Sequence, residues 1–190
     1  MLLGICGEKN AGKSTVERII KLSVHGPVKM TAFADPLKEM AITVGYPREI
    51  LYGPSHLRDT YIHPRLGISA RVFLQTIGEG IRQVNPHAWV NYAELCAPSG
   101  LIRLVSDIRH QEEFDGVVKA GGTVIGVRRS NPKGAVDPHP SEVGPRRLVP
   151  VCHHLIDNDQ DIATLIEKVR STLSACGIAA HTQPIEHLLA

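Results

Sequence analysis

The chain has 190 residues, 43% hydrophobic and 21% charged, with a net charge of +2. This is the make-up of one globular domain long enough for a three-layer core, and so small a charge gives no electrostatic footprint for nucleic acid. No apolar run approaches the roughly 18 residues of a membrane span, so no membrane partner is expected either.

Residues 2–6 form a short apolar run, as a buried parallel strand should. They lead into Gly7-Glu8-Lys9-Asn10-Ala11-Gly12-Lys13-Ser14, which fits the P-loop pattern G-x-x-x-x-G-K-[ST]. Val16, Ile19 and Ile20 then recur at helical spacing, predicting a helix over 13–24 that is stopped by His25-Gly26-Pro27. Residues 28–33 read as a second strand. Asp35-Pro36 reads as an N-cap followed by a first-turn proline, opening a helix to about residue 44. From 45 to 67 the chain is rich in Gly and Pro and carries Arg48, Arg58 and Arg65, an irregular insertion with short helical pieces at most.

Ser69 reads as the N-cap of a strongly patterned helix. Phe73, Leu74, Ile77, Ile81 and Val84 fall on one side, and Arg71, Gln75, Gly78 and Arg82 form a narrow stripe on the other. Asn85-Pro86 breaks this helix and starts another to about 96, and 98–100 reads as a turn. A third strand over 101–105 ends in Ser106-Asp107, and a helix over 111–120 closes at Gly121-Gly122. A fourth strand over 123–127 leads into Arg128-Arg129. Four prolines before Arg146 and no periodicity predict a mobile loop over 130–150, with Arg146-Arg147 on its surface. A fifth strand over 151–156 and a helix over 161–173 follow. Gly177 ends that helix, and the tail is expected to fray or add a short helix. Alternating strands and helices predict a five-stranded parallel sheet with helices on both faces and a phosphate site at the strands' C-terminal ends.

Glycines let backbone N–H groups curl around phosphate oxygens, and the helix N-terminus adds partial positive charge. The nucleotide-binding candidates are therefore Gly7, Lys9, Asn10, Ala11, Gly12, Lys13, Ser14 and Thr15. Lys13 would reach the β- and γ-phosphates of ATP and Ser14 would ligate Mg²⁺, while Thr15 reads first as helix packing. Asp107, ending an apolar strand, would hold the same Mg²⁺, the alternative being a helix N-cap. Arg71 and Arg82 could grip a phosphate while Gln75 reads a base edge, the alternative being a solvated polar face. Gly78 costs about 1 kcal/mol relative to alanine inside a helix, so something must approach closely there. Arg128-Arg129 would stabilise charge on a transferring phosphoryl group from a closing lid. His139-Pro140-Ser141-Glu142 gives no metal-ligand spacing.

Cys6, Cys96, Cys152 and Cys176 are scattered without a C-x-x-C pair, arguing against zinc or a disulfide framework and for a reducing cytoplasm. Apolar residues follow Met1 directly, so no signal peptide is expected. The 13 arginines against 8 lysines suit phosphate binding, although genomic base composition produces the same bias.

These motifs together resemble the deoxynucleoside monophosphate kinases of bacteriophages, over most of residues 2–175. The resemblance rests on the P-loop, on Phe33-Ala34-Asp35-Pro36-Leu37-Lys38, and on Leu74-Gln75-x-x-Gly78 with Arg82 and Trp89-Val90. It continues through Asp107-Ile108-Arg109 with Glu113, Gly121-Gly122, Val127 and Arg129. It implies a three-layer α/β/α P-loop kinase fold in one domain, 1–176, with an acceptor-binding insertion at about 45–97, a lid at about 128–150 and a tail, 177–190. It implies transfer of the ATP γ-phosphate to a deoxynucleoside monophosphate, with Asp35, Arg71, Gln75 and Arg82 lining the acceptor site and Asp107 and Arg109 near the phosphates. Lys38, Gly78 and Arg58 are carried as further acceptor candidates, and a homodimer is compatible with this reading. Two departures are Glu79-Gly80, where the family tends to have Thr-Glu, and the insertion around Arg58. Phosphomevalonate or dephospho-coenzyme A kinase shares the loop and acceptor layout. A GTPase-type switch wants N-K-x-D, and Asn131-Pro132-Lys133-Gly134 lacks the aspartate. A DNA-handling ATPase would want a larger chain and a basic face.

Overall fold

The structure, a computed structural model, describes residues 1–95, 101–130 and 140–189. The turn expected at 98–100, the end of the preceding helix at Cys96, and the segment Asn131–Gly134 through His139 lie outside those residues. The chain divides into two compact units, one made of 1–31 and 96–190 and the other of 32–95.

The first unit is built on β1 (Leu2–Gly7), β2 (Val28–Thr31), β3 (Ile102–Ile108), β4 (Thr123–Arg128) and β5 (His154–Asp157). All pair in parallel in the order β2-β3-β1-β4-β5, which puts the strand before the P-loop at the centre. Leu3, Ile5, Leu104, Ile125 and Ile156 are fully buried, as expected of strands covered on both faces. The helices α1 (Lys13–Ser23) and α9 (Ile162–Ala175) pack together over one continuous core, through Val16, Ile19, Ile20, Leu165, Ile166, Val169 and Leu173. Asp161 caps α9, its carboxylate accepting from the Thr164 N–H at 2.8 Å. The helices α7 (Gln111–Lys119) and α8 (Pro140–Leu148) also pack on β1.

Two expectations change here, and of the two alternatives for the tail the short helix holds. Residues 140–148 form helix α8 despite Pro145, because Leu148 and Val149 are buried and Gly144 lies so close to the Arg109 carbonyl that a Cβ would collide with it. Tertiary packing overrides the local breakers. The fifth strand starts later than residue 151, because Val149–Val151 make a 3-10 turn and His153 instead bridges to Val124, donating from its N–H and accepting at Nδ1, both at 3.0 Å. The tail is packed rather than frayed. Ile178 and Ile185 enter the core, Ala180 bridges to Val24, and Glu186–Leu188 forms a 3-10 turn.

The second unit is helical among its described residues: α2 (Asp35–Thr43), α3 (Arg48–Tyr52), α4 (Ser55–Thr60), α5 (Ala70–Val84) and α6 (Ala88–Leu95). Ala41, Tyr46, Leu51 and Ala70 form its small core, with Phe73 and Leu74 packed against it. The insertion owes its order to buried His63, whose Nδ1 accepts from the Arg65 and Leu66 N–H groups at 3.2 and 3.1 Å and closes the turn. Among the described residues, no helix is long and apolar enough to cross a membrane.

Candidate active site

The loop leaving β1 has the geometry its sequence requires. Gly12 takes a left-handed conformation, φ +97°, and Asn10 has φ +65°. Gly7 is required by space, since a Cβ there would lie 2.6 Å from the Val127 carbonyl oxygen. The Glu8 carbonyl accepts from the Ala11 N–H at 3.2 Å, curling the loop, and α1 starts immediately after Gly12, which has no side chain to cap it. Lys13 folds back over the loop, its ammonium donating to the carbonyls of Gly7 at 2.8 Å and Glu8 at 2.9 Å. Ser14 is exposed in the first helical turn and Thr15 is half-buried. A curled backbone, an uncapped helix start and a fixed cation together make a cradle for a polyanion. Cys6, just before the loop, is fully buried, and its hydrogen bond to Cys152 and then its burial push the thiol upward.

Asp107 lies inside β3, one residue short of its end. Between the pairs Gly4–Val105 and Cys6–Ile108, β1 advances two residues and β3 three, so a bulge falls at Ser106-Asp107. A bulge breaks the two-residue alternation, and here it leaves Ile108 rather than Asp107 opposite Cys6. Asp107 is therefore part of the strand, and the cap of α7 comes from elsewhere: His110 with buried Glu113, whose Oε2 accepts from the N–H groups of Arg109 at 2.8 Å and His110 at 3.1 Å. Arg109 is half-buried at the same strand end.

The arginines are redistributed. Arg128 pairs across the strands with Asp157, Nε to Oδ1 at 2.8 Å, and Arg129 Nε donates to the Asn158 carbonyl at 2.9 Å. Both thus tie β4 to β5, the geometry of neighbouring strand ends. Arg146, expected on a loop surface, lies on α8 and pairs with Glu8 of the P-loop, Nε to Oε2 at 2.6 Å. Sequence reasoning also missed Asn158, whose buried amide donates to the Ala11 carbonyl at 2.8 Å. Nothing in local pattern signals a contact between residues so far apart.

In the helical unit, Ser69 caps α5 as expected, accepting from the Val72 N–H at 3.2 Å. Its polar stripe is not solvated. The Arg71 and Arg82 side chains are each 15% exposed and Gly78 is buried, whereas Val84 of the supposed apolar face is 88% exposed. Gly78 is approached by Leu37 of α2, and its carbonyl accepts from Trp89 Nε1 at 3.4 Å, so packing accounts for this glycine. Arg71 is bound by Asp59 and by Ser55 Oγ, tying α5 to α4. Arg58 donates to the carbonyls of Leu51 and Gly53 and closes α3. Asp35 is the first residue of α2 rather than its cap, and its carboxylate accepts from the Ala32 N–H at 2.8 Å and from Lys38 at 3.1 Å. The buried Gln75 Nε2 has no hydrogen-bond partner among the described residues.

No family model matches the chain. It is 25% identical over 193 residues to an Acanthamoeba polyphaga mimivirus protein named "Putative deoxynucleotide monophosphate kinase", covering 93% of this chain and 95% of that one. Among solved structures it is similar to dephospho-CoA kinase from Campylobacter jejuni, with a TM-score of 0.51, 12% identity, and coverage of 92% and 96%. It also matches shikimate kinase from Aquifex aeolicus at a TM-score of 0.46 and 10% identity, over 93% of this chain and 98% of that one. The fold is that of the P-loop kinases. The strand order around β1 and the dephospho-CoA kinase likeness carry that statement.

Proposed function

We propose that the protein is an ATP-dependent phosphotransferase whose acceptor is a deoxynucleoside monophosphate. The observation that carries the donor half is Lys13, fixed by two loop carbonyls above a left-handed Gly12 at the start of α1. The acceptor half is supported by the mimivirus relative, matched nearly end to end. It is supported as well by Gln75, since an unmet buried amide is costly unless a ligand completes it.

In this reading an acceptor phosphate oxygen attacks the γ-phosphorus of ATP, the bond from that phosphorus to the β–γ bridging oxygen breaks, and ADP leaves. Lys13 and the loop N–H groups spread the charge on the β- and γ-oxygens. Arg146, rather than Arg128, meets the transferring group, because it already stands beside the loop. Arg109 stands near the phosphates at the end of β3. In the helical unit, Arg82, Lys38 and Asp35 hold the acceptor and Gln75 reads its base, while Arg71 keeps α5 in place. Ser14 and Asp107 would hold Mg²⁺; an all-oxygen pair suits this ion, which takes one or two carboxylates and keeps waters and phosphate oxygens for the rest. When bound, Mg²⁺ supplies charge neutralisation on the phosphates.

A coupled ADP-release assay with ATP-Mg²⁺ tests the acceptor. Each common ribo- and deoxyribonucleoside monophosphate is offered in turn, with dephospho-coenzyme A and shikimate beside them. Release dependent on one or more deoxynucleoside monophosphates is expected. Release with dephospho-coenzyme A or shikimate alone would replace this acceptor class.

A further inference from the structure

We propose that Asn158 positions the phosphate-binding loop and that Arg129 acts through Asn158 rather than on a phosphate. The inference rests on the reading of residues 7–14 as an ATP site.

Asn158 follows β5 directly and is 4% exposed. Its three polar contacts run in different directions. The backbone N–H donates to the Arg128 carbonyl at 2.8 Å, the carbonyl accepts from Arg129 Nε at 2.9 Å, and the side-chain Nδ2 donates to the Ala11 carbonyl at 2.8 Å. A Cβ on Gly12 would collide with that same Nδ2, so the second P-loop glycine is needed partly to admit Asn158. The next residue repeats the tie, as the Asp159 carboxylate accepts from Ser130 N–H and Oγ at 2.8 and 2.7 Å.

The consequence follows from the planar peptide. In a trans peptide the C=O and the following N–H point in opposite directions. Anchoring the Ala11 oxygen on Asn158 therefore turns the Gly12 N–H to the side of the loop away from Asn158. A donor aimed in advance costs no reorganisation when an anion arrives, which is how backbone amides stabilise phosphate charge well. Without the amide, the Ala11–Gly12 peptide could rotate, a motion the left-handed glycine tolerates. Arg129 sets the Asn158 backbone and so the reach of its side chain. A buried asparagine that merely closes a strand end would satisfy its own polar groups, yet it would not need to reach the loop.

The test is direct binding of Mg²⁺-ATP by calorimetry, without acceptor, read beside thermal unfolding and kcat. Asn158→Leu keeps the volume and removes the amide, and it should weaken ATP binding about tenfold or more. Asn158→Asp puts an acceptor and a charge against the Ala11 oxygen and should weaken it further. Arg129→Ala should weaken ATP binding by roughly three- to tenfold, and the Asn158→Leu/Arg129→Ala pair should be no worse than Asn158→Leu alone. Wild-type ATP affinity in Asn158→Leu with a lowered Tm would make the residue merely structural and overturn the proposal. Unchanged ATP affinity with a lowered kcat in Arg129→Ala would put that arginine on the transferring group instead. Should Asn158→Leu fail to fold, Arg129→Ala, which leaves the buried amide in place, carries the test alone. If the wild-type protein itself bound no ATP, the reading of the loop would fall first, which the wild-type titration shows separately.

Discussion

Glu8 puts a carboxylate in a loop proposed to receive phosphate, and Arg146 of α8 pairs with it. The pair is half-exposed, 46% and 33% for the two side chains, so its net worth is at most about 1 kcal/mol. A weak pair is cheap to exchange, and a guanidinium that leaves Glu8 for a phosphoryl oxygen gains a stronger, charge-assisted contact. Arg146→Ala should therefore lower kcat by roughly 10- to 150-fold, the value of one hydrogen bond to a charged group. Arg128→Ala should leave kcat within about twofold, because its partner Asp157 is exposed at a strand end and the pair is a surface one. Steady-state kinetics of the two variants decides between them, and the opposite ranking would return the charge-stabilising role to Arg128. Lys13, Gly12 and Ser14 were legible in the sequence because the P-loop is local, its chemistry fixed by eight consecutive residues. Arg146 and Asn158 were not, because each reaches the loop from more than a hundred residues away.

At the scale of elements, α5 shows what periodicity can and cannot establish. Its existence, its Ser69 cap and its polar stripe are all visible in the spacing. Which stripe faces inward is not, since the exposed face runs through Val72, Thr76, Gly80 and Gln83 rather than through the arginines. The two arginines on it consequently differ. Arg71 is held by Asp59 and Ser55, so Arg71→Ala should destabilise the protein by about 1–2 kcal/mol through a lost, mostly shielded charged contact. Its KM for the acceptor should change little in the folded fraction. Arg82, proposed to hold the acceptor, donates to the Gly78 carbonyl and to Glu79, both at 3.4 Å, and Arg82→Ala should chiefly raise the acceptor KM, with KM for ATP unchanged. Denaturant melts beside kinetics separate these outcomes, and a raised ATP KM in Arg82→Ala would move the stripe to the donor. The helix α8 illustrates the reverse failure. Four prolines made its region read as a loop, yet buried Leu148 and the close fit of Gly144 against Arg109 form a helix there.

For the whole molecule, alternation of strands with helices was enough to expect a parallel sheet, and the five strands fall close to their expected places. Strand order is not a property of any segment. Placing β1 between β3 and β4 is what sets the Asp107 end of β3 on one side of β1 and brings the Val127 carbonyl on the other side against Gly7. The bulge at Ser106-Asp107 belongs to that pairing too, and no spacing in the sequence encodes it. In the proposed function, the acceptor is recognised by polar groups of the helical unit. Direct detection of product tests the phosphoryl transfer itself. The protein, Mg²⁺ and ATP labelled at the γ-phosphate are incubated with a deoxynucleoside monophosphate, and the products are separated beside a Lys13→Ala control. Label is expected in the deoxynucleoside diphosphate, falling by orders of magnitude in the Lys13→Ala protein while its fold persists. Label released only as inorganic phosphate, or transfer undiminished by Lys13→Ala, would contradict the proposal.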